Sequence, residues 1–206
     1  MSEGRVDKRV QTSADLQKQL NFIRELDKLK QVMRQNYLLD ASRPENSAEH
    51  SWHAALTAFI LRDCSNQPVD ICKVGKMLLI HDVIEIQAGD TYIYDPLAEE
   101  GQHERELTAA EDLFGLLPSK QKRELMDLWL EFEERKTADA RFAKAIDRFM
   151  PMLANYESQG LSWQENGVTS QRIREICSLI EEGSTVLWEY AEGMIASALE
   201  RGYLNA

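Results

Sequence analysis

Apolar residues recur along most of this chain at steps of three and four rather than two, the spacing of helices that bury one face. From Ser13 to Met33 the stripe Leu16, Leu20, Ile23, Leu26, Leu29 and Val32 predicts a first helix with a charged outer face. The polar stretch Asp40 to Asn46, with Pro44, interrupts the pattern, and Ser47 is placed to cap a second helix from Ala48 to about Cys64. After a turn over Ser65 to Pro68, the residues Val74, Met77, Leu78, Ile80, His81 and Ile84 are apolar on most sides. They predict a central, buried helix that starts at Val69 and stops near Gly89. Asp90 to Gly101 contains Pro96, has no clear period and reads as a loop. Helices follow at about Gln102 to Phe114, at Pro118 to Glu134 with the proline in the first turn, and at Thr137 to Tyr156 with Phe142, Ile146, Phe149, Met150 and Leu153 inward. A long helix from roughly Ser170 to Leu199 ends the chain. The expected fold is an all-α, single-domain helical bundle over residues 1–206, with a core of about 20–156 and a C-terminal helical extension, 157–206.

Composition narrows the setting. With 43% hydrophobic residues, a 206-residue chain can bury a full core. Its 24 basic and 35 acidic side chains give a formal charge of -11, which repels polyanions, so neither long nucleic acid nor an anionic membrane is an expected partner. Cys64, Cys72 and Cys177 are odd in number and show no CxxC spacing, and they read as buried thiols of a reducing compartment. Met1 to Gln19 is polar, and nowhere do 18 apolar residues run together; a cytoplasmic location is the expectation.

The chemistry sits in the helices. His81 and Asp82 are adjacent in the most apolar of them, and no Lys or Arg lies between Met77 and Tyr94. A buried carboxylate without a positive partner costs several kcal/mol, and a divalent cation is an economical partner. His50 begins the preceding helix, and Asp147 lies inside the inward pattern Phe142, Ile146, Met150. Two imidazoles and two carboxylates form a mixed nitrogen and oxygen donor set. It suits one divalent ion such as Mn²⁺, Co²⁺, Fe²⁺, Ni²⁺ or Mg²⁺ better than a closed zinc site. Buried helices also hold hydrogen-bonded acids, so the residues alone leave the metal and the structural readings both open.

The order His50, then His81-Asp82, then Asp147 resembles the H...HD...D signature of the HD phosphohydrolase superfamily. Arg43 to Ser51 resembles the "RPE(S/N)VS(D/E)H" segment of its 5'-deoxynucleotidase-like branch, His81 to Asp90 its "HDxxExxxGD", and Phe132 to Asp147 its "xEExxTxEAxFxKxxD". The resemblance covers about Leu20 to Tyr156. It implies an HD-type bundle with one divalent metal on His50, His81, Asp82 and Asp147. It also implies hydrolysis of phosphomonoesters, foremost (deoxy)nucleoside 5'-monophosphates, by metal-activated water. Glu85, four residues after His81, is then the group that orients or deprotonates the water, and Asp90 faces the substrate, as a sugar contact or a proton shuttle.

The chain departs from that branch in one place. Its nucleotidases carry an Arg-Trp pair about fifteen residues before the first histidine, where this chain has Gln35-Asn36. Arg43 becomes the expected phosphate clamp, with Arg34 and Arg148 in reserve. His53 and His103 read as surface or hydrogen-bonding residues, Lys144 and Arg148 as surface ion pairs, and the final apolar helix suggests a homodimer. Three other readings compete: a guanosine tetraphosphate hydrolase, disfavoured because Ile86 rather than an acid follows Glu85; a di-iron oxygenase, which needs more histidines; and a catalytically idle module that binds a nucleotide or a protein.

Overall fold

The computed structural model describes residues 14–94 and 101–205. Ser13 and residues 95–100 of the expected loop, with Pro96, lie outside them. The architecture is helical, with one small two-stranded sheet.

Helix α1, Ala14–Leu26, is shorter than its hydrophobic stripe suggested; it passes into a 3₁₀ turn, Asp27–Gln31, and then into strand β1, Met33–Tyr37. Leu29 of the stripe is buried as expected, but Leu16 and Ile23 are exposed, Ile23 by 59%, and Phe22 is buried in their stead. The helix ends early because the carbonyl of Val32 accepts a bond from the Ser47 N–H at 3.0 Å, which draws the chain into pairing with β2, Pro44–Asn46. The strands are antiparallel, Met33 opposite Asn46 and Tyr37 opposite Pro44. Four steps along β1 thus face two along β2, an irregular ladder.

Helix α2, Ser47–Ile60, is capped by Asn46 rather than Ser47: Asn46 accepts from the Glu49 N–H, and Glu49 accepts from the Asn46 N–H, a complete capping box. Ser47, released from capping, lies in the first turn. The long central helix predicted from Val69 is three pieces, α3 (Ile71–Ile80), a 3₁₀ turn (His81–Ile84) and α4 (Glu85–Ala88), ended by Gly89 at φ +79°. After the gap come α5 (Gln102–Phe114), α6 (Ser119–Glu134) with Pro118 as its cap residue, and α7 (Ala138–Glu157), capped by the Thr137 hydroxyl. A short helix that sequence reading missed, α8 (Leu161–Glu165), precedes α9 (Ser170–Cys177), α10 (Ile180–Gly183) and α11 (Thr185–Arg201).

The last three replace the single final helix. Gly183 explains the break, since a Cβ there would stand 2.3 Å from the carbonyl oxygen of Arg141, so α10 meets α7 with backbone on backbone. Ser184 then caps α11 and donates to the Cys64 carbonyl at 2.7 Å. The continuous helix that had suggested a homodimer is absent.

Helix α7 is the axis of the larger core, where Ile146 and Met152 share one cluster with Met77 and Leu78 of α3 and with Ile173, Ile180 and Ile195 of the C-terminal helices. A second cluster joins α1, α5 and α6 and includes Val83 and Ile84. The His81–Ile84 turn therefore bridges the two cores and is held from both sides. Cys177 is buried as expected, but Cys64 is half-buried and Cys72 exposed. Among the described residues no helix is long and apolar enough to cross a membrane.

Candidate metal centre

Three expected donors, His50, His81 and Asp147, meet where α2, the 3₁₀ turn and α7 pack together, and the fourth, Asp82, stands beside His81. Asp147 Oδ1 lies 3.2 Å from His50 Nε2 and 3.2 Å from His81 Nε2, and His81 Nε2 lies 3.0 Å from Asp82 Oδ1. All four residues are buried. With bonds of about 2.0–2.2 Å, neighbouring donors around an octahedral ion stand about 3 Å apart, so the spacing fits a divalent cation. The rings are aimed for this. His81 Nδ1 bonds the Leu78 carbonyl at 2.8 Å and His50 Nδ1 faces Glu45 Oε2 at 3.4 Å, which leaves both Nε2 atoms turned inward. In the metal-free protein, burial alone would lower the His81 pKa, but Asp82 and Asp147 outweigh it and raise the imidazolium to about 10. Burial likewise pushes the Asp147 carboxyl up, yet hydrogen bonds from His50 and His81 hold it well below the usual carboxylate range.

A positive partner for Asp82 also exists within the protein, contrary to expectation, and it comes from the sheet. Arg34 Nη1 stands 2.8 Å from Asp82 Oδ2, 3.7 Å from Asp90 Oδ1 and 3.9 Å from Glu85 Oε1. Burial disfavours its charge, but Asp82, then Asp90 and Glu85, more than compensate and hold the guanidinium above its ordinary value. Strand alternation explains the aim: Arg34 and Asn36 share the inner face, Gln35 points out, and Asn36 is fastened to α7 by a 3.0 Å bond from Asn155. An arginine next to Gln35-Asn36, Arg34, thus points into the site.

Arg43 does not join the site. It is exposed and forms a two-pronged pair with Glu49, at 2.8 and 2.7 Å, which steadies the α2 cap. Arg34→Ala should therefore lower kcat/KM for any phosphomonoester by about ten- to a hundredfold, the magnitude of a lost charge-assisted hydrogen bond. Arg43→Ala, which breaks only a solvent-screened pair, should stay within about twofold of the parent. Steady-state kinetics on both variants decides it; the reverse ranking would reinstate Arg43 as the clamp.

Glu85 and Asp90 are brought to the same place. Because the turn before α4 is 3₁₀, Asp82 and Glu85 are three apart on one edge, nearer neighbours than the α-helical spacing from His81 had implied. Burial, then the charge of Asp82, pushes the Glu85 carboxyl well above its usual range, against Arg34 and against a 2.6 Å bond donated by the Ser47 hydroxyl. Burial and Asp82 also raise Asp90, which hydrogen-bonds Glu85. Helix α4 is too short to carry Asp90, and the positive φ of Gly89 turns the chain so that the acid returns to the site.

These groups line a cavity of about 110 Å³. Its far wall holds two residues expected at the surface. Lys144 Nζ lies 3.3 Å from Glu133, 3.9 Å from Asp147 and 4.2 Å from the centre of the Phe132 ring, and Arg148 stands beside Thr91 and Gln102. Inward basic residues on α7, the axis of the larger core, were legible only as neighbours of Asp147. His53 instead stacks on Trp52, and His103 is exposed; neither lines the cavity.

The chain belongs to the HD domain family, whose family model matches residues 26–188. It is an HD-type metal-dependent phosphohydrolase. Among its relatives, it is 32% identical over 143 residues to the 5'-deoxynucleotidase HDDC2 of Homo sapiens, 69% of each chain, and equally identical to that of Xenopus laevis, over 69% of this chain and 70% of the other. A crystal structure described as a predicted metal-dependent phosphohydrolase from Magnetospirillum magnetotacticum shares 48% identity and a TM-score of 0.89, over 93% of this chain and 96% of that one. A conserved hypothetical protein from Pyrococcus furiosus, 22% identical with a TM-score of 0.52, covers 79% of this chain and 99% of its own and shares the fold alone.

Proposed function

We propose that this protein hydrolyses deoxynucleoside 5'-monophosphates with one divalent cation, Mn²⁺, Co²⁺, Fe²⁺, Ni²⁺ or Mg²⁺, held by His50, His81, Asp82 and Asp147. The observation that carries the reading is the convergence of His50, His81 and Asp147, about 3 Å apart, with Asp82 beside His81 and the cationic Arg34 on the other oxygen of Asp82. The 5'-deoxynucleotidase relatives support the substrate class.

When bound, the cation supplies Lewis acidity: it lowers the pKa of water and offsets charge on phosphoryl oxygens. The protein's own groups do the rest. Arg34 donates to a phosphoryl oxygen from strand β1. Glu85, steadied by the Ser47 hydroxyl, takes a proton from the water whose oxygen forms the new bond to phosphorus. Asp90, with its raised pKa, gives a proton to the ester oxygen as the bond from phosphorus to that oxygen breaks. Nucleoside and inorganic phosphate result. A phosphate-release screen of deoxynucleoside and ribonucleoside 5'-monophosphates, 3'-monophosphates and guanosine tetraphosphate, with each of the five metals, tests the reading. Turnover is expected to be fastest on the deoxynucleoside 5'-monophosphates; preference for any other group overturns it.

A further inference from the structure

A cavity of about 110 Å³ holds roughly four water volumes, enough for a phosphate but not for the nucleoside attached to it. The remainder of the substrate needs an adjoining space. Among the described residues, cavities on two sides share walls with this one. The first, against Gln35, Asn36 and Pro151, measures about 10 Å³ and holds no more than a water. The second measures about 280 Å³ and has Thr91, Ile93, Gln102 and Arg148 in common with the metal cavity.

The larger one is suited to a nucleoside. Tyr92, Ile93, Ile176 and Leu179 give it apolar walls for a flat ring, and Gln102 and Arg148 supply polar groups. Arg148 stands in the shared wall, and its Nε is buried with no hydrogen-bond partner among the described residues. A buried donor of this kind is costly unless something accepts from it. Its neighbour Lys144, by contrast, is already engaged with Glu133 and the Phe132 ring.

We propose that the pocket between the loop following Gly89 and helix α9 is the nucleoside subsite, and that Arg148 grips the substrate where it passes from that pocket into the metal cavity. This rests on the nucleotidase reading above. The phosphate then lies against Arg34, Arg148 holds the sugar at the shared wall, and the base points toward Ile176 and Leu179. Specificity is set by residues of the C-terminal helices, outside the segment that carries the metal donors.

The test compares kcat/KM for a deoxynucleoside 5'-monophosphate with kcat/KM for methyl phosphate, whose leaving group is too small to need the pocket. Ile176→Trp, which fills it, and Arg148→Ala are each expected to lower the ratio of the two constants about tenfold or more. Arg148→Lys should restore part of the loss. Circular dichroism and metal content identify any variant that is not folded, and Leu179→Trp fills the same space from the turn after α9. Ratios unchanged in folded variants, with the parent active on nucleotides, overturn the subsite and leave the function standing. A parent that cleaves methyl phosphate but no nucleoside monophosphate overturns the function, and the subsite with it.

Discussion

Asp147→Ala is expected to abolish hydrolysis and metal retention together, while the helical fold persists. Asp147 Oδ1 is the atom on which both imidazoles converge, at 3.2 Å each, so its removal leaves two histidines with no anion between them. Loss of a group that merely supports a metal ligand costs about ten- to a hundredfold in affinity, and loss of a ligand should cost more. The helix has ample reason to stay in place, since Phe142, Ala143, Ile146, Phe149 and Met150 remain buried around it. The deletion also removes a buried charge, so the metal-free stability changes less than the activity. Elemental analysis, phosphate release and circular dichroism on one preparation check all three points. A folded Asp147→Ala protein with full metal and full turnover would sink the proposed centre.

Glu85→Gln should have the second largest effect, a fall in kcat of about 10²- to 10⁴-fold, the range expected for a lost general base. Metal content should persist, because Gln keeps the shape and Glu85 is assigned to the water. The pH profile carries a sign. Glu85 accepts a proton only when ionised, and burial with the charge of Asp82 raises its pKa, so kcat/KM should decline as pH falls through a value above the ordinary glutamate range. The Ser47 hydroxyl bond works in the other direction, and Ser47→Ala should therefore move this acid limb to higher pH. In Glu85→Gln the limb should vanish. Metal loss equal to that of Asp147→Ala would instead make Glu85 a ligand.

The proposed metal donors were picked out by the H...HD...D resemblance, because inward acids and imidazoles in apolar helices serve structural roles as well as metal binding. The helices α5, α6 and α7 were readable from their period. What could not be read was decided by contacts between distant segments. The stripe through Leu16 and Ile23 looked sound, yet pairing of Val32 with Ser47 stopped the helix and turned the next residues into a strand. That strand determines which side chain points inward, so counting back from His50 selected Gln35 while two-residue alternation selected Arg34. Arg43 was favoured by nearness in sequence, but its carboxylate partner was Glu49, six residues away on the cap of α2. The final helix was overcalled because no periodicity reports that Gly183 must admit the backbone of α7.

The crowding of acids around Arg34 reaches beyond the reaction. Glu45, Asp82, Glu85, Asp90 and Asp147 are drawn from strands, turns and helices far apart in the chain to face one guanidinium and two imidazoles. Only the folded chain brings these groups together, so a divalent ion held by them favours the native state over the unfolded one. Ion binding is accordingly coupled to folding: at a free concentration one hundred times its Kd, the ion adds about 2.7 kcal/mol to native stability. Thermal midpoint, resistance to proteases and lifetime of the polypeptide all become functions of metal supply, so starvation for the ion thins the population of the protein as well as silencing it.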